Sequence, residues 1–206
     1  MRKSVLSAVA TIVMLFSLIY VSCENEETLQ NLLEIAQSTE GLESLVNVIL
    51  YIEQYAEVDP EITEGLADAS LLFTVFAPTN DAFVDVFGDL DEDGIVEAED
   101  IRNTLGSDDA NNAGDLGEVL GLHVIENQKL FVADILADAD NTIGPTAYDE
   151  EGTVYLEVAV VNEELTLTPD LVGASGGAVH STDNDIEALN GIAHILNDVL
   201  LPSVGD

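Results

Sequence analysis

The densest chemistry in the sequence is the run Asp89-Leu90-Asp91-Glu92-Asp93-Gly94-Ile95-Val96-Glu97-Ala98-Glu99-Asp100, with acids at positions 1, 3, 5, 9 and 12 and glycine at position 6. That is the spacing of an EF-hand calcium loop. A hard cation takes six or more oxygens, and alternate residues of a tightly turned loop can all aim inward. Asp89, Asp91, Asp93 and Asp100 would supply side-chain oxygens, Ile95 its backbone carbonyl, and Glu97 an oxygen directly or through water. Gly94 permits the sharp turn, and Val96 would pack against the domain. One calcium ion is the cofactor this pattern implies. Asp at position 12 is shorter than the usual Glu, so coordination should be about six and discrimination against magnesium weak. A chance cluster of carboxylates is the competing account in so acidic a chain. The glycine and the hydrophobic residue at their required places weigh against it. A second stretch, Asp109-Ala110-Asn111-Asn112-Ala113-Gly114, lacks the acids at positions 5 and 12, which leaves one site.

Other reactive side chains are sparse. His123 and His194 each sit among aliphatic residues, where a histidine is more often a buried, hydrogen-bonded structural group than a ligand or base. Paired carboxylates occur throughout, so no pair is diagnostic of glycoside hydrolysis. Gly173–Gly177 does not have the steps of a nucleophile elbow. There is no phosphate loop, dinucleotide fingerprint or His-Glu-x-x-His. The chain is not expected to be an enzyme. An extracellular enzyme stays as the third functional class, because His123, His180 and His194 could meet in space.

Charge narrows the partners. The 206 residues carry 41 Asp plus Glu against 4 Lys plus Arg, a net −37, with 47% hydrophobic residues. That hydrophobic content rules out reading the acidity as disorder. With so few bases the chain is no general binder of nucleic acid, whose affinity comes from Lys and Arg neutralising phosphates. The excess of acids resembles the surface of a salt-adapted protein, where ions screen the mutual repulsion. One Cys and no Trp exclude a disulfide framework and a cysteine-rich zinc module.

Two of the four bases, Arg2 and Lys3, precede an apolar run from Val5 to Val21 that ends at Ser22-Cys23 and an acidic stretch, Glu24–Glu27. A basic start, an apolar stretch and a small residue before a break make an export signal. The only cysteine stands at its end, and the segment resembles a bacterial lipoprotein signal, residues 1–22, with Cys23 the lipid-modified first residue of the mature chain. Tyr20 stands where such signals usually carry Leu. An uncleaved anchor helix is the alternative. Both place the domain outside the cytoplasm, and the lipoprotein reading puts it on the cell surface. Removal of the leader leaves 41 acids against Arg102 and Lys129, or −39.

The elements that must position these residues follow from periodicity. Residues 28–56 read as helical, with Leu29, Leu32, Leu33 and Ala36 in one stripe and, after Gly41, Leu42, Leu45, Val46, Ile49 and Ile52 in another. A short helix is expected over Glu61–Leu66, and a buried strand over Leu71–Phe76, stopped by Pro78. Thr79 or Asn80 then caps a helix ending at Phe87. The calcium loop follows inside the acidic stretch 88–115 and is flanked by a short helix over Ile101–Leu105. Helical signal returns at Leu116–Val124. Val154–Val161 and Leu165–Thr168 form two strands about Asn162-Glu163-Glu164, Gly173–Gly177 a flexible loop, and Asn190–Leu201 a closing apolar run. The whole is one α+β domain.

Three segments carry a resemblance. Phe73-Thr74-Val75-Phe76-Ala77-Pro78-Thr79-Asn80-Asp81-Ala82-Phe83 resembles the first signature box of fasciclin-type domains, and Asn190–Pro202 resembles the second. Leu120-Gly121-Leu122-His123-Val124-Ile125 is similar to the central Tyr-His motif, with Leu122 in place of Tyr. The resemblance spans residues 28–202, between a tether at 23–27 and a tail at 203–206. It implies a wedge of β-strands packed with several helices, in which Asn80, His123 and His194 are structural. It also implies an adhesion role toward extracellular protein, matrix or carbohydrate, without catalysis. Leu196-Asn197 replaces the usual Ile-Asp of the second box. Asp185-Ile186 stands where animal members carry an integrin-recognition pair. Asp100 at position 12 of the loop resembles dockerin loops, so a calcium-dependent scaffold component with a cohesin-like partner is the alternative function.

Overall fold

Gly41, with φ at +90°, divides the first apolar segment into two helices. The computed structural model describes residues 29–55, 61–107, 110–138, 140–147, 154–171, 174–180 and 183–202; the leader with Cys23, the tether and the tail lie outside them. Helix α1 (Leu32–Ser38) opens on a capping box. The Glu34 N–H donates to Asn31 Oδ1 at 2.8 Å and the Asn31 N–H to the Glu34 carboxylate at 3.0 Å. Helix α2 (Glu43–Tyr55) buries Leu45, Ile49 and Ile52 of the expected stripe, with Val48 fully buried in the place expected of Val46, which is half-buried. Leu29 does not join the α1 stripe; it precedes the helix and is 48% exposed.

Helix α3 (Glu61–Ala67) leads to strand β1 (Phe73–Pro78), which starts two residues later than its apolar run. Its parallel pairing with the last strand, β8 (Gly191–Leu196), begins at Phe73↔Gly191 and ends at Pro78↔Leu196. Pro78 is the last residue of the strand and so stops it as expected, two residues beyond Phe76. The Phe76 N–H donates to the His123 carbonyl, away from β8, so the N–H that Pro78 lacks would fall on that same side.

Helices α4 (Asn80–Phe87), α5 (Ala98–Leu105) and α6 (Ala110–Gly121) follow. The last starts six residues before its apolar signal, because its first turns bury only the small Ala113 among polar neighbours. Val124 belongs to β2 (Val124–Glu126), not to a helix. After α7 (Val132–Ala137) come β3 (Thr142–Ile143), β4 (Leu156–Val161), β5 (Glu164–Pro169), β6 (Gly177–Ala178) and β7 (Ile186–Ala188). The expected hairpin is present, with a two-residue turn in which Asn162 and Glu163 have φ of 52° and 73°. Part of the expected glycine loop is ordered into pairing: Ser175 bridges Leu201 and Gly177 pairs with Leu167.

Among the described residues there are two four-stranded sheets, ordered β2-β1-β8-β7 and β3-β4-β5-β6. Phe76, Ile125 and Leu196 of the first meet Leu156 and Leu167 of the second in one cluster. A separate helical cluster centres on α2 and takes in Phe83, Val96, Ile101 and Leu116. The α+β wedge is thus the observed architecture. No helix among the described residues is long and apolar enough to cross a membrane.

Candidate functional site

The acidic loop connects α4 to α5 and is built largely by its own carboxylates. Asp89 accepts from the Glu92 N–H at 2.8 Å through Oδ1 and from the Gly94 N–H at 2.7 Å through Oδ2. Asp93 accepts from the Ile95 N–H at 2.8 Å. Gly94 has φ at +86°, the left-handed conformation that the tight turn requires. Oxygens of Asp89, Asp91 and Asp93 lie within 4.8 Å of one another.

Asp100 serves the loop differently. It is buried, and its two oxygens accept from the Leu90 N–H at 2.8 Å and the Glu97 N–H at 2.9 Å. It thereby ties the loop's start to the first turn of α5, where Glu97 is the N-cap. Each of those oxygens keeps a second lone pair. Asp100 and Glu97 stand outside the three-carboxylate cluster.

Electrostatics couples all five acids. The Gly94 N–H, followed by that of Glu92, holds the Asp89 carboxyl below its ordinary range. The charge of Asp93 pushes Asp91 up, helped by desolvation and by Asp89. Desolvation first, and then the charges of Asp93, Asp91, Asp100 and Asp89, raise Glu97. The concentrated negative charge is what a divalent ion would relieve.

The loop is fastened to the core. The Val96 side chain is fully buried, its N–H donates to Ser44 Oγ at 2.8 Å, and its carbonyl accepts from Asn47 Nδ2 at 3.0 Å. Ser44 and Asn47 both belong to α2. Sequence reading reached the Val96 packing but not these partners, which lie 52 and 49 residues away.

The remaining motif residues are structural. Thr79, not Asn80, caps α4, with Oγ1 accepting from the Ala82 N–H at 3.3 Å. Asn80 reaches across to α2: Oδ1 accepts from the Ser44 N–H at 2.9 Å and Nδ2 donates to Glu43 at 2.8 Å. His123 is buried, with Nε2 accepting from the Leu200 N–H at 2.8 Å and Nδ1 facing the Val119 carbonyl at 3.0 Å. That pairing fixes a neutral ring protonated at Nδ1. Burial depresses its pKa to about 4.

His194 is sealed in the opposite tautomer. Its Nδ1 accepts from the Asp185 N–H at 3.2 Å and its Nε2 donates to the Leu130 carbonyl at 2.8 Å. Burial lowers its pKa as well. Asp185 turns its carboxylate to the Val132 N–H at 2.8 Å, and Ile186 packs into the core. The pair is a structural latch between β7, β8 and α7. A concavity of about 530 Å³ opens between α1, α2, β1 and α6, with His123 among its lining residues. Both nitrogens of that ring are engaged, so it offers no free base there.

Asn190 was not singled out by sequence reading. It is fully buried, its Oδ1 accepts from the Leu32 N–H at 2.9 Å, and its Nδ2 donates to the Leu66 and Asp68 carbonyls. Its place at the head of the second box, before glycine, was the available signal.

The fasciclin-domain profile matches residues 27–202, which include both boxes and the histidine between them. The chain belongs to the fasciclin-domain family. Among solved structures, the fasciclin domain is similar to a FAS1 domain pair from the insect cell adhesion molecule Fasciclin I, with 15% identity and a TM-score of 0.60. The match covers 84% of this chain and 51% of that one, so the chain spans about half the length of the insect structure. At that identity the likeness shows the fold. No curated protein matches the chain. Fasciclin domains are adhesion-type modules and typically have no catalytic activity.

Proposed function

We propose that this fasciclin domain is an adhesion module held at the cell surface through Cys23, and that its Asp89–Asp100 loop binds one calcium ion as a structural clamp. The observation that carries the reading is the convergence of three carboxylates on a loop whose eighth residue, Val96, is bolted to α2. Asp89, Asp91 and Asp93 would bind the ion first, with the Ile95 carbonyl, Glu97 and Asp100 completing the oxygens. The ion would neutralise the repulsion that raises Asp91 and Glu97. Because the loop follows α4, the helix that the first box opens, and is pinned to α2 at Val96, the ion would stiffen the adhesive domain itself. The engaged state of His123 and His194 supports binding over catalysis.

Glycan arrays and pull-downs from extracellular matrix with the full chain, run with calcium and with chelator, test it. A defined glycan or matrix protein retained in calcium and lost or weakened in chelator is the expected result. Turnover of a glycan, or no retention of any glycan or matrix protein, would contradict the adhesive reading.

A further inference from the structure

The end of the first sheet where the chain enters the domain carries a group of exposed leucines. Leu29 is 48%, Leu71 42%, Leu72 38% and Leu189 55% exposed. They account for four of the ten large hydrophobic residues exposed among the described ones. Backbone bonds gather them about one point. The Leu189 N–H donates to the Gln30 carbonyl at 2.9 Å, which sets Leu29 beside the β7–β8 turn. The Phe73 N–H donates to the Asn190 carbonyl at 3.0 Å, which sets Leu72 beside the same turn, and the Leu71 N–H donates to the Asp68 carbonyl at 3.2 Å. Asn190 then binds Asp68 and Leu32 to this end.

Single exposed leucines are ordinary; four around one chain entry are not. Only five residues, 24–28, separate Leu29 from Cys23. At about 3.3–3.6 Å per residue they span at most roughly 20 Å. A lipid on Cys23, or an anchor helix ending there, would hold this end of the domain within that distance of the bilayer.

We infer that the Leu29, Leu71, Leu72 and Leu189 end rests on the membrane, with the leucines entering the interfacial layer of zwitterionic phospholipid. The contact is apolar, because a chain at −37 has no basic patch with which to seek anionic headgroups. It orients the wedge with the acidic loop away from the bilayer, since Val96 is tied to Ser44 and Ser44 to Asn80, just past the end of β1 opposite Leu72. This inference rests on the anchoring reading proposed above.

The test uses the absence of tryptophan from the chain. Full-length Leu189→Trp, Leu71→Trp and, as a control on the exposed β4, Val160→Trp proteins are reconstituted into phosphatidylcholine vesicles carrying spin-labelled lipid. Flotation reads anchoring, and tryptophan emission reads depth. The expected result is flotation of all three, with blue-shifted and several-fold stronger lipid quenching at residues 189 and 71 than at 160. Flotation with equal, weak quenching at all three sites would overturn the inference and leave anchoring intact. Blue-shifted but unquenched emission would mean contact between copies and would also overturn it. Failure to float, or flotation unchanged by Cys23→Ala in a chain shown to lack its leader, would overturn the lipid-anchor reading and this inference with it.

Discussion

Gly191→Ala is expected to leave little folded protein. The β1–β8 pairing begins at Gly191 opposite Phe73, and a Cβ there would run into the Phe73 carbonyl oxygen and approach Leu32 Cδ1 to 3.0 Å. Backbone cannot yield as a flexible side chain can. The two central strands would have to part, and with them the Asn190 bonds that collect α1, α3 and β1. A cost above about 4 kcal/mol follows, a large part of the roughly 5–15 kcal/mol that holds a domain folded. Gly114→Ala is the control: it lies within α6 with nothing within 4 Å of its Cβ position, and should be neutral or stabilising by up to about 1 kcal/mol. Urea unfolding of the two variants reads the contrast. Similar midpoints would mean that the sheet accommodates a methyl group at the start of β8.

The second large effect is at His123. Replacing it with Ala removes a fully buried ring and strands the Leu200 N–H, at a cost of about 3–5 kcal/mol from cavity and lost hydrogen bond together. Its pH dependence separates this group from mere packing. A base whose folded pKa of about 4 lies below its unfolded value near 6.5 binds fewer protons in the native state. Its stabilising contribution is therefore complete above about pH 6.5 and is lost as pH falls toward 4, about 3 kcal/mol across that window. His194 acts in the same direction. Protonation of surface carboxylates opposes both by relieving repulsion, so wild type must be compared with His123→Gln, which keeps polar atoms but does not titrate. Wild type should lose more stability than the variant between pH 6.5 and 4. Parallel curves would place the proton elsewhere.

These two residues also mark how far the sequence could be read. Both boxes and the Tyr-His-like segment are contiguous, so their order already resembled the fasciclin pattern, and the profile match confirms the family. The calcium-loop pattern is legible for the same reason: its chemistry sits at fixed offsets within twelve residues. What stayed hidden depends on distant partners. Asn80 after Pro-Thr reads as a cap for α4, but its side chain caps α2 through Ser44, 36 residues earlier. Asp185-Ile186 reads as a displayed pair, yet the Val132 N–H engages the Asp185 carboxylate, His194 accepts from the Asp185 backbone N–H, and Ile186 packs against the core. Strands β6 and β7, of two and three residues, are too short to show a period of two. The start of β1 was set by its register with β8, which no local pattern encodes.

Calcium titration by calorimetry, paired with thermal unfolding of the same full-length samples, is the most direct test of the clamp. Wild type should bind one ion with a dissociation constant of about 10⁻⁴–10⁻³ M, the range of extracellular modules. Calcium at ten times that constant should add about 1.4 kcal/mol of stability. The Asp89→Ala/Asp93→Ala double variant should show neither the saturable heat nor the gain in stability. Equal, weak heats from both proteins, with melting temperatures indifferent to calcium, would contradict the account and leave Asp89–Asp100 an acidic turn held by its own hydrogen bonds.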